Sequence, residues 1–517
     1  MNTTRRRFLA GSTIATSFAA LGLTTQVVSA QGSNMLRARI SRDMEVLDPA
    51  YMIGGQEMAI QYAIMPRLVE LDLSGDAVSW KPTEFVSRIE IVSPTRIEFE
   101  LKKGLMWTNG FGELTAEDVA YSYTRQLEGD WAKRFTTMES IEVTGSHSGA
   151  ITLKHPYAPF MTTTLCTGVG TVVCKEAVEA LEEKKYTLTV PASCGPYYIS
   201  EHVQRQKLVL SPNPDWTGAP PDFQEIQCIV VESGSAGELA FEAGEVDITK
   251  IESASIPRYQ DNPPANSGIL VAGNLQYAWV GMNTEHPKLQ DVRVRKAIQR
   301  AIDIEKVQQI AFKGVAATAN GIIPPGILGR REAPGYSYDP EAARALLAEA
   351  GVEGLELNIV TINKNRERLL AAQVMQQNLA DVGVTLNILP LESGQFWGHG
   401  REKKGDAWQD SQLWIMRFGG NVDPADYFQW FISAQKGNWN WERWTNEEFD
   451  ALYETAIAST DEAERKSIYL KMQEMMEETG AYVWINHEPE VFLYSKLIEP
   501  SVDPTGVYLF RSTNPVA

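Results

Sequence analysis

Eight of the 13 tryptophans, Trp397, Trp408, Trp414, Trp430, Trp439, Trp441, Trp444 and Trp484, fall within one stretch of fewer than 90 residues. Large rings around a few polar groups are the usual lining of a small-molecule pocket, and core packing alone accounts for about half of such a cluster. Bond-making chemistry has far less support. Neither Ser233 nor Ser235, in Val231-Glu232-Ser233-Gly234-Ser235-Ala236, has a glycine both two residues before and two residues after it, as a nucleophile elbow needs. No phosphate loop and no dinucleotide-binding glycine pattern occurs. Neighbouring acids such as Glu117-Asp118 and Glu477-Glu478 point different ways on a helix, and the six histidines and four cysteines show no zinc spacing. The expectation is a binding protein with no catalytic residue, metal or cofactor.

The elements that must position such a pocket are legible in periodicity. Apolar residues alternate in Arg88-Ile89-Glu90-Ile91-Val92 and in Arg96-Ile97-Glu98-Phe99-Glu100-Leu101, which predicts a hairpin across Ser93-Pro94-Thr95. Thr115 and Asp118 form a capping box ahead of a helix facing inward with Val119 and Tyr123. Asp291 opens an amphipathic helix through Ile302, its arginines read as a solvated face. Asp339, Pro340 and Gly351 are the N-cap, first turn and C-cap of another helix. A strand over 355–361, a helix over 367–382, a helix over 462–478 and a single strand over 481–493 follow, and such alternation is α/β construction.

Composition narrows the partners. The 517 residues carry 47 Lys and Arg against 66 Asp and Glu, a formal charge of −19, with no long basic run after residue 7, so nucleic acid is excluded as a partner. The chain opens Thr4-Arg5-Arg6-Arg7-Phe8-Leu9-Ala10, runs without charge to Ala30 and ends Val28-Ser29-Ala30, the pattern of a signal peptide. It resembles the twin-arginine export signal, departing from it only at Ala10, where lysine is usual. Losing three of the 47 basic residues against 66 acidic ones leaves the exported chain at −22, a charge suited to solubility. In an oxidising compartment Cys166 could pair with Cys174 and Cys194 with Cys228; the alternative is four small buried hydrophobes.

Several ordered segments carry a family resemblance: Leu47-Asp48-Pro49-Ala50, Leu101-Lys102-Lys103-Gly104-Leu105-Met106-Trp107-Thr108-Asn109-Gly110 with Leu114-Thr115-Ala116-Glu117-Asp118-Val119, Gly195-Pro196-Tyr197-Tyr198, Leu208 to Asn213 with Trp216, Gly244-Glu245-Val246-Asp247-Ile248, and Asp291 to Ala297 with Ala301-Ile302-Asp303. Over nearly the whole mature chain it resembles family 5 of the extracellular solute-binding proteins of ABC importers, which serve oligopeptides, dipeptides, nickel and opines. The resemblance implies a two-lobe α/β periplasmic-binding-protein fold of type II, cluster C. Lobe I would comprise 31–80, 190–275 and 490–517, its inserted subdomain 81–189, and lobe II 276–489. It further implies a monomeric periplasmic protein whose lobes close on a peptide-like or opine-like solute and present it to the membrane permease. An exported chemosensory or chaperone-like partner and, more remotely, a secreted hydrolase are the other readings.

In peptide-binding relatives the stretch W-x-x-D-x-x-[DE]-P-x-x-F supplies an aspartate for the peptide's α-ammonium group. Registered on Asp423-Pro424, that aspartate falls on Gly420 and the tryptophan on Arg417, with Trp414 nearby and Phe418 and Asn421 between. A glycine cannot neutralise a cation, whereas the Arg417 guanidinium could grip a carboxylate or phosphate, so an anionic ligand is expected. The other reading pairs Arg417 with an acid such as Asp423 or Asp426. Tyr51 and Met52 after the Leu-Asp-Pro segment, Tyr277 and Trp279 on the presumed crossover strand, and Trp397 complete the candidate binding residues.

Overall fold

The computed structural model describes residues 34–51, 54–273 and 275–516; the expected export signal over 1–30 and the candidate Met52 lie outside them. Two large mixed sheets organise the chain. In the first, neighbouring strands run in the order Ser267–Ala272, Glu490–Ser495, Ile248–Lys250, Met35–Ile40, Glu225–Val230, Lys207–Pro212 and Tyr197–Val203. Met35–Ile40 is parallel to both Glu225–Val230 and Ile248–Lys250, and the pairs outside these are antiparallel. In the second the order is Ala317–Thr318, Tyr482–His487, Gln276–Met282, Leu413–Gly419, Glu356–Ile362 and Thr385–Leu391. A four-stranded antiparallel sheet built from Val86–Ser93, Arg96–Leu101, Ser148–Leu153 and Met138–Gly145 packs into the same core as the first.

Local signals set these elements. The hairpin pairs Ile89 with Phe99 and Ile91 with Ile97, so the apolar alternation falls on one face. Thr115 and Asp118 cap Ala116–Arg125 reciprocally. The Asp291, Asp339 and Asp461 side chains accept from the first-turn amides of Val292–Ala301, Pro340–Glu349 and Glu462–Glu478.

Two expectations give way. The arginines of Val292–Ala301 are not all solvated: Arg295 is buried, donating from Nε to the Thr479 carbonyl at 2.7 Å and from Nη1 to Leu289 at 2.5 Å and Gln290 at 2.8 Å. The helix is amphipathic, but its long side chain satisfies carbonyls at two chain turns. The apolar run 481–493 is two strands, Tyr482–His487 and Glu490–Ser495, which belong to different sheets. Glu488-Pro489, which cannot continue a strand ladder, separates them, so the polar break inside the run marks the change of sheet. The cysteine pairings expected on proximity are absent too. Cys166, Cys174, Cys194 and Cys228 are buried free thiols, and burial pushes Cys174 up to about 11 and Cys228 up to about 12.

The chain leaves the first sheet after Ala272 and joins the second at Gln276, then leaves the second after His487 and rejoins the first at Glu490. Gly273 has φ +58°, and a Cβ there would stand 1.9 Å from the Pro504 carbonyl oxygen. Its own carbonyl accepts from Glu490 N at 3.2 Å, tying one passage to the other. The two bodies also touch away from these passages, where Val78 N donates to Gly326 O at 2.8 Å and Ala158 N to Ile457 O at 2.7 Å.

Candidate functional site

Alternation along the central strands of the second sheet sorts its two faces. Val280, Leu413, Ile415, Val483 and Ile485 pack on one side with the helices Val292–Ala301 and Arg366–Ala380. Tyr277, Trp279, Trp414, Met416, Tyr482 and Trp484 pack on the other, with the loops after residue 420. Phe418 ends the aromatic row as a partly buried ring.

Around it opens a cavity of about 410 Å³ lined by Trp397, Arg417, Phe418, Gly419, Trp430 and Trp439. Phe418 lies nearly parallel to Trp397 at 6.3 Å and meets Trp430 and Trp439 edge to face at 5.9 and 5.8 Å. Behind it Tyr277 stacks on Trp279 at 5.3 Å, and Trp279 contacts Phe418 at 5.1 Å, so a second aromatic layer fixes the first. Trp279 Nε1 donates to Glu442 Oε1 at 2.8 Å. Burial pushes the Glu442 carboxyl up to about 8, so at neutral pH it stands behind the pocket as an uncharged acid.

One cation, Arg417, lines this apolar cavity, and a second, Arg401, stacks on one of its walls. The Arg401 guanidinium lies 4.5 Å above the Trp439 ring, and Arg417 donates from Nη1 to Glu488 Oε2 at 2.5 Å. Arg417 therefore pairs with neither Asp423 nor Asp426, because those carboxylates are already occupied. Asp423 accepts from Arg465 Nη2 at 2.7 and 2.9 Å and from Ala425 N at 2.9 Å, while Asp426 accepts from Gln429 Nε2 at 2.6 Å.

Of the sequence candidates, Trp397, Arg417 and Phe418 come together at the cavity. Tyr277, Trp279 and Trp414 are buried behind it, Trp414 against Trp441 at 5.6 Å. Gly420 follows the cavity's edge and donates to Leu275 O at 2.8 Å; a Cβ there would come within 2.3 Å of the Tyr427 ring. The position on which the ammonium-pairing aspartate registers has no room for a side chain. Asn421 accepts from Val422 N at 2.8 Å. Asp423 borders a different cavity, about 310 Å³, between the two bodies, where Thr162 of the first body donates to it at 3.4 Å. Tyr51 sits apart, its ring 5.5 Å from the Arg125 guanidinium that grips Asp48 at 2.7 and 3.0 Å.

Gly419, Trp430, Trp439, Glu442 and Glu488 were not among the candidates. Trp430 and Trp439 stand outside regular elements, where no periodicity aims a side chain, and aromatic density was the one signal pointing to them. No helix among the described residues is long and apolar enough to cross a membrane.

Comparison with known proteins agrees with this architecture. The profile of bacterial extracellular solute-binding proteins, family 5 (middle region), matches residues 88–440. The "Probable di/tripeptide-binding protein 5" of Pseudomonas aeruginosa is 26% identical over 410 residues, covering 74% of this chain and 76% of that one. The "Dipeptide-binding protein" of Escherichia coli is 24% identical over 452 residues, 80% and 82% of the two chains. The solved structure of HbpA2 from Haemophilus parasuis superposes with a TM-score of 0.82 at 21% identity, over 93% of this chain and all (100%) of that one.

Proposed function

Because the chain belongs to the family 5 bacterial extracellular solute-binding proteins, the substrate-binding components of ABC importers, we propose that it captures a peptide, or a peptide-like or opine-like solute, in the Trp397–Phe418–Trp430–Trp439 cavity. The single observation that carries this reading is that cavity. Apolar rings on rigid supports suit a ligand's side chain, and the guanidinium of Arg417 suits its charged end. The names of the relatives point to di- and tripeptides as the first solutes to try.

The lobes are 31–80 with 190–275 and 490–517, carrying the inserted subdomain 81–189, and 276–489. Sheet membership supports this division. Solute bridging both lobes shifts the population toward a closed form that the permease subunits read, and no bond of the solute changes. The chain acts as a monomer in the periplasm, reached through the twin-arginine route by its first 30 residues.

Calorimetry with di- and tripeptides and with opine-like conjugates tests this reading. Trp439→Ala removes one wall and is expected to weaken the bound solute by about 1–3 kcal/mol. A solute whose affinity ignores that change sits elsewhere.

A further inference from the structure

Arg417 does not stand alone. Arg368, near the start of Arg366–Ala380, is 4% exposed, and its Nε and Nη1 meet no acceptor among the described residues. Burial first, and then the Arg417 guanidinium, bring Arg368 down to about 10, with Glu488 and more weakly Glu367 acting in the opposite sense. Arg417 is bonded to Glu488, which reaches it from the passage between the sheets, and Arg368 adds a second positive charge within electrostatic reach of both. Buried donors without acceptors are costly, and a guanidinium is built to hold a carboxylate in a fork.

We propose that Glu488 is a resident stand-in for the ligand's own carboxylate: a solute whose apolar body fills the tryptophan-walled cavity places an anionic group between Arg417 and Arg368 and displaces Glu488. This rests on the preceding assignment of the cavity and specifies the ligand class, an apolar or aromatic body ending in a carboxylate. The rings by themselves would equally suit a quaternary ammonium ion. Arg417 in the lining, with Arg401 stacked on the Trp439 wall, gives this site a positive bias, which repels such a ligand and attracts an anion. Glu488 follows His487, the last residue of Tyr482–His487, and precedes by two the Glu490 that bonds to Gly273. The exchange thus frees a side chain of the linking segment at the moment the solute binds.

The test uses phenylacetate and phenylacetamide as a matched pair, titrated calorimetrically and by tryptophan fluorescence, beside the dipeptide Ala-Phe and its C-terminal amide. For the wild-type chain each acid should bind at least about tenfold tighter than its amide. Glu488→Gln should tighten the acids by about tenfold and leave the amides unchanged, because a competitor is gone. Arg417→Ala should erase the difference between acid and amide. Arg368→Lys, with thermal melting to confirm its fold, should reduce that difference. Acids and amides of equal affinity, acids weakened by Glu488→Gln, or no binding of phenylacetate overturn the proposal. Acid-selective phenylacetate binding without any binding of Ala-Phe leaves the anion exchange standing and removes the peptide reading instead.

Discussion

Buried charge decides much of what single residues do here. Asp423 looked like a ligand group because Asp-Pro fits a known pattern, but its partner Arg465 lies 42 residues away in sequence, beyond any local signal. Asp423→Ala leaves that guanidinium buried and unpaired, and chemical denaturation should show a loss of about 3–5 kcal/mol. Glu442 behaves oppositely. Its carboxyl is raised from the ordinary 4.5 to about 8 in the folded chain, so folding holds a proton that the unfolded chain releases. Its contribution is fully present below about pH 4.5 and is lost as pH rises through about 8. Glu442→Gln should match the wild type in melting temperature near pH 5 and exceed it near pH 9; a wild-type advantage at pH 9 contradicts the buried neutral acid. At Gly420 the Tyr427 ring explains the missing aspartate. Gly420→Asp alone should lower the melting temperature without creating a site for an α-ammonium group, and Tyr427→Ala beside it should restore part of the stability.

Among the elements, those with their own punctuation were readable. The caps at Thr115, Asp291 and Asp339 mark helix starts because a side-chain oxygen there satisfies otherwise unpaired amides, and that chemistry is local. The passage at 488–489 carries a local mark, the Glu488-Pro489 break, but not its meaning, since nothing in the flanking runs says that the two strands join different sheets. A related limit left Trp430 and Trp439 legible only as members of the aromatic cluster, since their aim is set by tertiary packing rather than by a period. Gly273 is where an element-scale prediction is sharpest. Gly273→Ala places a methyl group against the Pro504 carbonyl at a left-handed φ, so it should cost at least about 2 kcal/mol. His487, held by burial down at about 3, favours the fold above its ordinary value of 6.5, a contribution lost as pH falls from 6.5 toward 3. The linking strand should therefore gain amide-exchange protection on raising the pH from 5 to 7 in the wild type, and should show less of that gain in His487→Gln.

At the scale of the whole molecule, two sheets are joined by two short passages tied by the Glu490–Gly273 hydrogen bond, the place where the proposed closure would bend the chain. The contacts at Val78–Gly326, Ala158–Ile457 and Thr162–Asp423 show that the bodies already meet on one side, so a solute has a defined surface to complete. A solute that binds the folded chain at a hundred times its Kd should stabilise it by about 2.7 kcal/mol, read as a raised melting temperature. The most direct test of the account is small-angle scattering of the mature chain with and without such a solute, Ala-Phe or phenylacetate, beside the Trp430→Ala/Trp439→Ala variant. The radius of gyration should fall when solute is added to the wild type and stay constant in the variant. A wild-type radius unchanged by a solute that raises the melting temperature, or closure that persists in the variant, would contradict capture by lobe closure on the aromatic cavity.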